Sequence, residues 1–579
     1  MKLINKYRLN LVVLIVCSLF SWWLMSSTFG YQDGSIVMDS KLYSDFGAHL
    51  PLIRSFSLGW NFPPQYPFFV GEPIRYHYLF YLFIGVLERV GLRIDLAVNI
   101  LSAGGFSLLL FMIYQYANTL FRSKLAGILA LILFLFNGSL AWVEFFNQQG
   151  WTWNVFLSIP QQSQFASFGP WSGRLVSAFW NWNIFTNQRH LGLSYGLFLL
   201  LLYPLIRLSV VPKESIQDRW RRVMAGLFGG VLSAMEKVSN KKKNMQIFRW
   251  RWWHPLLVLG LAIFPLLHQA AYIILVPLTL IWILLTWPKS KPDLLVYFVS
   301  ILLSTVVFKL FTPQSGTLPL WQVGYLSPEK TLMAINWYWF NNFGLYWLLL
   351  PALLIWSVLK KQWWLWTALP FFVMANLFRF SADMINNHKL VTFFLIAMQI
   401  TTAGFLVNLV RKHKTFIPLV LILVIGLTFS GFMDMFPIIN DYDGEITDWK
   451  KSPMQQWIKT NTQPKAQFLT ASYMYSPASL VGRFLYLDYG YHAWSMGYND
   501  SQKRQNLVVF WSQHPDHAEW CTLLQKEKID AILVGPGENS TEDGRISVVN
   551  SYVVTQIKPT YTSEDNWKVW LVNQICTNI

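Results

Sequence analysis

MDSKLYSDFGAHLPLIRSFSLGWNFPPQYPFFVGEPIRYHY, Met38 to Tyr78, follows one hydrophobic span and precedes a long run of others. It is too polar and too rich in proline to cross lipid, because every unpaired backbone group in hydrocarbon is costly. It carries Asp39, Asp45, His49, Arg54, Arg75 and His77, the densest ionisable cluster near the start of the chain. Chemistry, if the chain performs any, is expected here, at a membrane surface.

Composition sets the surroundings of that stretch. Of 579 residues, 54% are hydrophobic and only 13% charged, where soluble domains carry about 25%. Apolar windows recur at the length of about 20 residues that spans a bilayer. The formal charge of +17 sits in short gaps between these windows, as the positive-inside rule requires. It is therefore not a nucleic-acid footprint. The 30 tryptophans suit interfacial belts. No Walker or Rossmann glycine loop, HExxH or CxxC occurs, which speaks against an ATP-driven pump. Of three cysteines, Cys17 lies in the first span; Cys521 and Cys576 share the polar tail, as a pair or as two thiols.

The charge pattern orders the spans. Crossings are expected at about 9–29, 95–119, 125–142, 190–209, 293–311, 344–359, 363–380, 390–410 and 415–433. Apolar residues 78–90 are too few for a crossing and read as an interfacial helix. Counting them as a crossing would also place the basic segment Pro212–Trp253, with Lys241–Lys243, on the wrong side. His254–Trp287 has basic residues at both ends and is too short for two full crossings, so it reads as a short hairpin turning near Leu266–Gln269. The loop 312–343 and the connector 380–390 then fall outside. The whole is a polytopic α-helical membrane protein of about 11 crossings, hairpin included, in the plasma (inner) membrane with a cytoplasmic N-terminus. Residues 1–439 form the membrane domain, with a first external loop at 30–77. Residues 440–579 alternate helix-like and strand-like runs and form an extracytoplasmic α/β domain.

Each candidate site has a plainer rival. Asp45 and Asp39 suit a general base toward an acceptor hydroxyl, or ligands of a divalent cation that neutralises a phosphate leaving group; the rival is solvated loop acids. His49 lies four residues after Asp45, one turn on in a helix. Arg75 and His77 can touch lipid phosphate, or simply anchor the interface. Arg189 and His190 open a span, where an arginine grips phosphate bidentately or snorkels. His268 is the odd residue of the apolar hairpin: a cavity group or a hydrogen-bonded structural histidine. Asp383, His388 and Lys389 crowd one short connector, suited to neutralising a phosphate or to an Asp383–Lys389 ion pair. The aromatic tail stretches 482–486 and 489–498 suit either sugar stacking or a domain–membrane seam.

In their order these parts resemble the GT-C superfamily of membrane glycosyltransferases, such as the protein O-mannosyltransferases and aminoarabinose transferases. One span leads to a large first external loop with Asp39 and Asp45. The entry NFPPQYPFFVGEPIRYHYLFY to a short helix follows, then many spans and a C-terminal domain. The resemblance implies transfer of a sugar from a polyprenyl-phosphate carrier to a glycan, lipid or protein acceptor on the extracytoplasmic face. It implies a catalytic or metal-linked aspartate in the first loop, a role carried to Asp45 first and Asp39 second. Arg189, Lys389 and His268 would stabilise the departing lipid phosphate. Met38-Asp39-Ser40 has a single acid where such families carry an adjacent acidic pair. Two other functions share this layout: a catalytically inactive scaffold, and a lipid-linked glycan transporter or flippase that uses the hairpin as a midplane site. A reporter fused after Ile579 is expected to report an extracytoplasmic C-terminus; a cytoplasmic signal would overturn the whole arrangement.

Overall fold

The computed structural model describes residues 2–167, 175–210, 254–287, 294–311, 319–471, 474–487, 490–512, 516–536, 548 and 550–577. The basic segment 212–253 and the hairpin's basic flanks lie outside the described residues, as do parts of the connector 144–189, the loop 312–343 and the stretch 489–498.

The principal helices are α1 (Lys2–Thr28), α2 (Tyr43–Ser57), α3 (Leu79–Arg89), α4 (Ile94–Phe121), α5 (Lys124–Leu135), α6 (His190–Val210), α7 (His254–Leu267), α8 (Gln269–Leu285), α9 (Leu294–Phe311), α10 (Leu332–Phe343), α11 (Leu345–Leu359), α12 (Trp364–Leu377), α13 (His388–Lys412) and α14 (Ile417–Met433). Among the described residues, five helices are long and apolar enough to cross a membrane, or six if the bent pair α10–α11 is one span. Five more apolar helices are shorter. α1 and α14 leave most of their apolar side chains uncovered, as lipid-facing helices do. α13 is the reverse, buried along nearly its whole length, and forms the centre of the bundle.

Two expectations change in the structure. The span expected at 125–142 ends as a helix at Leu135. Beyond it Asn137 accepts a hydrogen bond from Gln399 of α13 at 2.8 Å, and Gly138 lies against the backbone of Leu427 in α14. Polar capture and close packing thus replace the last helical turns. The loop expected up to 343 contains α10, which turns by 100° into α11 at Gly344. Its aromatic run buries Trp339 and Phe343 on one face, a helical period hidden by the density of aromatic residues.

The hairpin forms where it is expected. The His268 amide closes α7 by donating to Phe264 at 2.9 Å, and the His268 ring then caps α8 by accepting the Ala271 amide at 3.0 Å. The two helices are 14 and 17 residues long, short of the roughly 20 needed for a full crossing. The tip sits against the entry to α3, since the Tyr78 amide donates to the Leu266 carbonyl at 3.0 Å.

The strands are β1 (Phe29–Gln32), β2 (Ser35–Asp39), β3 (Leu320–Trp321), β4 (Phe378–Arg379), β5 (Asp443–Thr447), β6 (Gln467–Thr470), β7 (Phe484–Leu485), β8 (Ala531–Val534), β9 (Tyr561–Thr562) and β10 (Lys568–Leu571). β1 and β2 form a hairpin directly after α1, and β5 joins it through β2. The segment after α14 is thereby sewn to the first loop. The C-terminal part is a five-stranded mixed sheet in the order β7-β6-β8-β10-β9, flanked by short helices. Cys521 and Cys576 are joined in a disulfide there, which resolves the sequence's two alternatives.

This part docks on the first loop along a close seam. Gly482, at φ +77°, lies against the Arg54 carbonyl and the Gly59 amide, with no room for a Cβ. The 482–486 stretch is therefore seam. Below it Arg54 of α2 is buried between Glu88 of α3 at 3.1 Å and Asp448 at 2.7 Å. Removing one partner of a buried ion pair leaves the others uncompensated, at a cost of about 3–5 kcal/mol. Arg54→Ala is expected to destabilise by that amount, with Arg54→Lys in between; denaturant titration in detergent measures both, and unchanged midpoints would contradict the role.

Candidate functional site

The site is built where the first loop, one end of the helix bundle and the C-terminal part meet. Asp45 lies in the first turn of α2, where the helix dipole favours a carboxylate, and His49 follows one turn on. Among the described residues the Asp45 carboxylate makes no hydrogen bond and no ion pair within 4.0 Å. Burial pushes its pKa above the ordinary carboxylate value, against the opposing pull of Lys389 and His492. Its side chain is half-buried, so the carboxylate is open to solvent or a bound group.

Lys389, second residue of α13, is buried and donates from Nζ to Asn386 at 2.9 Å. It makes no ion pair among the described residues, so two of its three ammonium protons remain for a ligand. The Tyr195 hydroxyl of α6 donates to the Lys389 carbonyl and fixes this end of α13. Asp383 does not pair with Lys389. Its Oδ1 accepts the Ile385 amide at 3.1 Å and its Oδ2 the Tyr491 hydroxyl at 2.8 Å, a tie to the C-terminal part. His388 is buried with neither ring nitrogen hydrogen-bonded, its ring 5.9 Å from that of Phe179.

Four further histidines line this region. His49 lies 4.9 Å from the Tyr81 ring and 6.0 Å from His190; burial, His492 and Arg189 together push its pKa down to about 3. His77 sits 4.4 Å from both His190 and His268, stacked on the latter. Burial, then His190 and His268, hold the His77 pKa well below the usual histidine range. His190 opens α6 and shares a hydrogen bond of 3.0 Å with the Tyr81 hydroxyl through Nδ1. Gly192 and Gly196 bring α6 against the backbone of α4 at Phe106 and Leu109, which sets the position of His190.

The remaining candidates are engaged with other partners. Arg189 is buried with all three nitrogens engaged: Nε to the Thr186 carbonyl at 3.1 Å, Nη1 to Asn99 at 2.6 Å and Nη2 to Thr28 at 2.7 Å. It also lies over the rings of Phe29 and Phe46. Its geometry is that of a clamp joining α1, α4 and the start of α6. Arg75 donates to the Gly497 carbonyl at 2.7 Å and lies over the Tyr498 ring, stapling the first loop to the C-terminal part. Asp39 pairs in register with Asp443 across β2–β5. Burial, with Asp441 and Asp443 adding to it and Arg189 and Lys41 opposing, raises the Asp39 pKa to about 7. Asp39 and Asp45 thus feel different charges, Asp441 and Asp443 for the one and Lys389 and His492 for the other.

Two residues that act at the centre were not singled out from the sequence. His492 of the C-terminal part bears on both Asp45 and His49 and stacks on Phe68 of the first loop. Tyr76 packs tilted against His77 with ring centroids 3.6 Å apart, and burial, with Asp45 adding to it, raises its pKa. A lone histidine in the aromatic stretch 489–498 was the available signal.

No family model matches the chain, and no curated protein does. Among solved structures it is similar to the Archaeoglobus fulgidus oligosaccharyltransferase tethered to an acceptor peptide with an NVT sequon: TM-score 0.45 and 11% identity over 92% of this chain and 70% of that one. The apo form of that protein gives 0.43 and 12% over the same shares. The archaeal oligosaccharyltransferase of the same organism with an inhibitory peptide and a dolichol-phosphate gives 0.38 and 12%, again over 92% and 70%.

Asp39 supplies a pH test. With the folded pKa above the ordinary 3.8, the protonated form is favoured by the fold, so its stability contribution is present at low pH and lost as pH rises toward about 7. Wild type should therefore lose thermal stability relative to Asp39→Asn between pH 4 and 7. Parallel Tm curves for the two proteins would show that Asp39 is not buried in this way.

Proposed function

We propose that this chain is an integral membrane glycosyltransferase of GT-C type, moving a sugar from a polyprenyl-phosphate carrier to an acceptor on the extracytoplasmic face. The observation that carries the reading is the Asp45 carboxylate, without a hydrogen bond or ion pair among the described residues and within the electrostatic reach of Lys389 and His492, where the first loop, the bundle and the C-terminal part converge. The parts needed for displacement at an anomeric carbon are an anionic base on one side and preorganised positive charge on the other.

In this reading Asp45 takes the proton of the acceptor hydroxyl. The acceptor oxygen attacks the anomeric carbon, the bond from that carbon to the phosphate oxygen breaks, and the lipid phosphate leaves with the electron pair. A pKa raised by burial makes Asp45 a stronger base than a solvated aspartate. Lys389, with two free N–H donors, is suited to the leaving phosphate. The positive ends of α6, α8 and α13 begin in the same region, at His190, Gln269 and His388, and favour an anion. The bilayer holds the donor's hydrocarbon tail while its head meets the loop. The full arrangement of about eleven crossings, with the C-terminal domain of residues 440–579 outside the plasma membrane, belongs to this proposal. So does a sugar in the hexose or pentose class.

Transfer of labelled sugar from a mixed polyprenyl-phosphate donor pool in membranes tests it. Asp45→Asn is expected to lower transfer by about 10²–10⁴-fold in a folded, inserted protein, and Lys389→Met by about 10–10²-fold. Undiminished transfer by Asp45→Asn would remove the base; no transfer by wild type over a broad panel would favour the scaffold.

A further inference from the structure

The transfer reading leaves one group of side chains unused. His77, His190 and His268 each offer a ring nitrogen, and the three nitrogens lie within 4.8 Å of one another, all in buried residues. Both nitrogens of His77, Nε2 of His190 and Nε2 of His268 are buried without a hydrogen-bond partner. Buried polar atoms are nearly always satisfied in native proteins, so four in one cluster point to an absent occupant.

Three histidines first suggest a transition metal, but the protons do not suit one. The His268 Nδ1 accepts the Ala271 amide as the cap of α8. A neutral ring whose Nδ1 accepts carries its proton on Nε2, so the free atom of His268 is a donor with no lone pair for a cation. The nitrogens lie within 4.8 Å of one another, which leaves room for an oxygen up to about 2.8 Å from each, a hydrogen-bond distance. The Tyr81 hydroxyl can accept the Nδ1 proton of His190, leaving Nε2 as an acceptor, and His77 has a free N–H in either tautomer.

We propose that His77, His190 and His268 form a socket for a single hydroxyl-type oxygen. That oxygen accepts a hydrogen bond from His268, donates its proton to His190, and accepts from His77, whose free ring can present its N–H. It excludes a bare cation, which cannot accept, and a fully ionised phosphate oxygen, which cannot donate. Two sources share this chemistry: a hydroxyl of the substrate's sugar, or water. The sugar source rests on the transfer reading above; the socket does not. Its place beside the Asp45 site, with Tyr76 packed against His77, is what connects the two.

The experiment is a cryo-EM map of the full-length protein at water-resolving quality, with elemental analysis of the same sample. A single peak about 2.8 Å from the ring nitrogens, without stoichiometric metal, is expected. One equivalent of metal, a peak at about 2.1 Å, or rings closed on each other with no peak would each overturn the proposal. Native mass spectrometry with polyprenyl phosphate, bare or carrying a hexose, assigns the source. A preference for the hexose-bearing lipid that falls about tenfold in His77→Phe identifies a sugar hydroxyl; equal binding, with the peak retained, identifies water. Both results uphold the socket, and neither depends on the Asp45→Asn outcome.

Discussion

Arg54 holds the molecule's two halves in register. Its guanidinium is buried between Glu88 and Asp448, and Tyr31 of β1 donates to the same Asp448 at 3.0 Å. Four segments far apart in sequence thus share one buried charge network: the first hairpin, α2, α3 and the start of the C-terminal part. A buried charge without partners is strongly disfavoured, so these segments come together or α2 does not dock. The helix that carries Asp45 and His49 is oriented by this constraint at its far end.

The same logic explains why the functional groups are found where they are. A membrane bundle satisfies its backbone internally, and polar side chains inside it gather where helices end or break. α6 begins at His190, α8 at the His268 cap and α13 at His388, and all three converge under the first loop. The C-terminal part closes the arrangement by supplying His492 and by tying Asp383 through Tyr491 and the 73–75 turn through Tyr498. Catalysis, in the proposed reading, needs both halves because neither alone brings the base and the positive charges together.

Much of this was legible in the chain. The first loop as a structured polar segment, the short helix at 79–89 and the hairpin turning at His268 follow from the lengths of apolar runs and from where charges interrupt them. The helix α10 and the early end of α5 were not legible, because an aromatic-rich run reads as loop until its buried face is known. Arg189 looked like a phosphate ligand because an arginine at the start of a span presents the same pattern whether it faces a ligand or, as here, Asn99 and Thr28. Sequence spacing gives no information on which partner a long side chain reaches.

By itself the sequence determined a helical membrane protein, the segment where ionisable groups concentrate, and the candidates within it, because hydrophobic length and charge placement act locally along the chain. Only the tertiary structure decided which candidates meet. It set Asp39 in the field of Asp441 and Asp443, and Asp45 in that of Lys389 and His492. It also gathered His77, His190 and His268 from segments up to 191 residues apart. Such contacts depend on how helix ends pack against one another, and no property of a single segment encodes that.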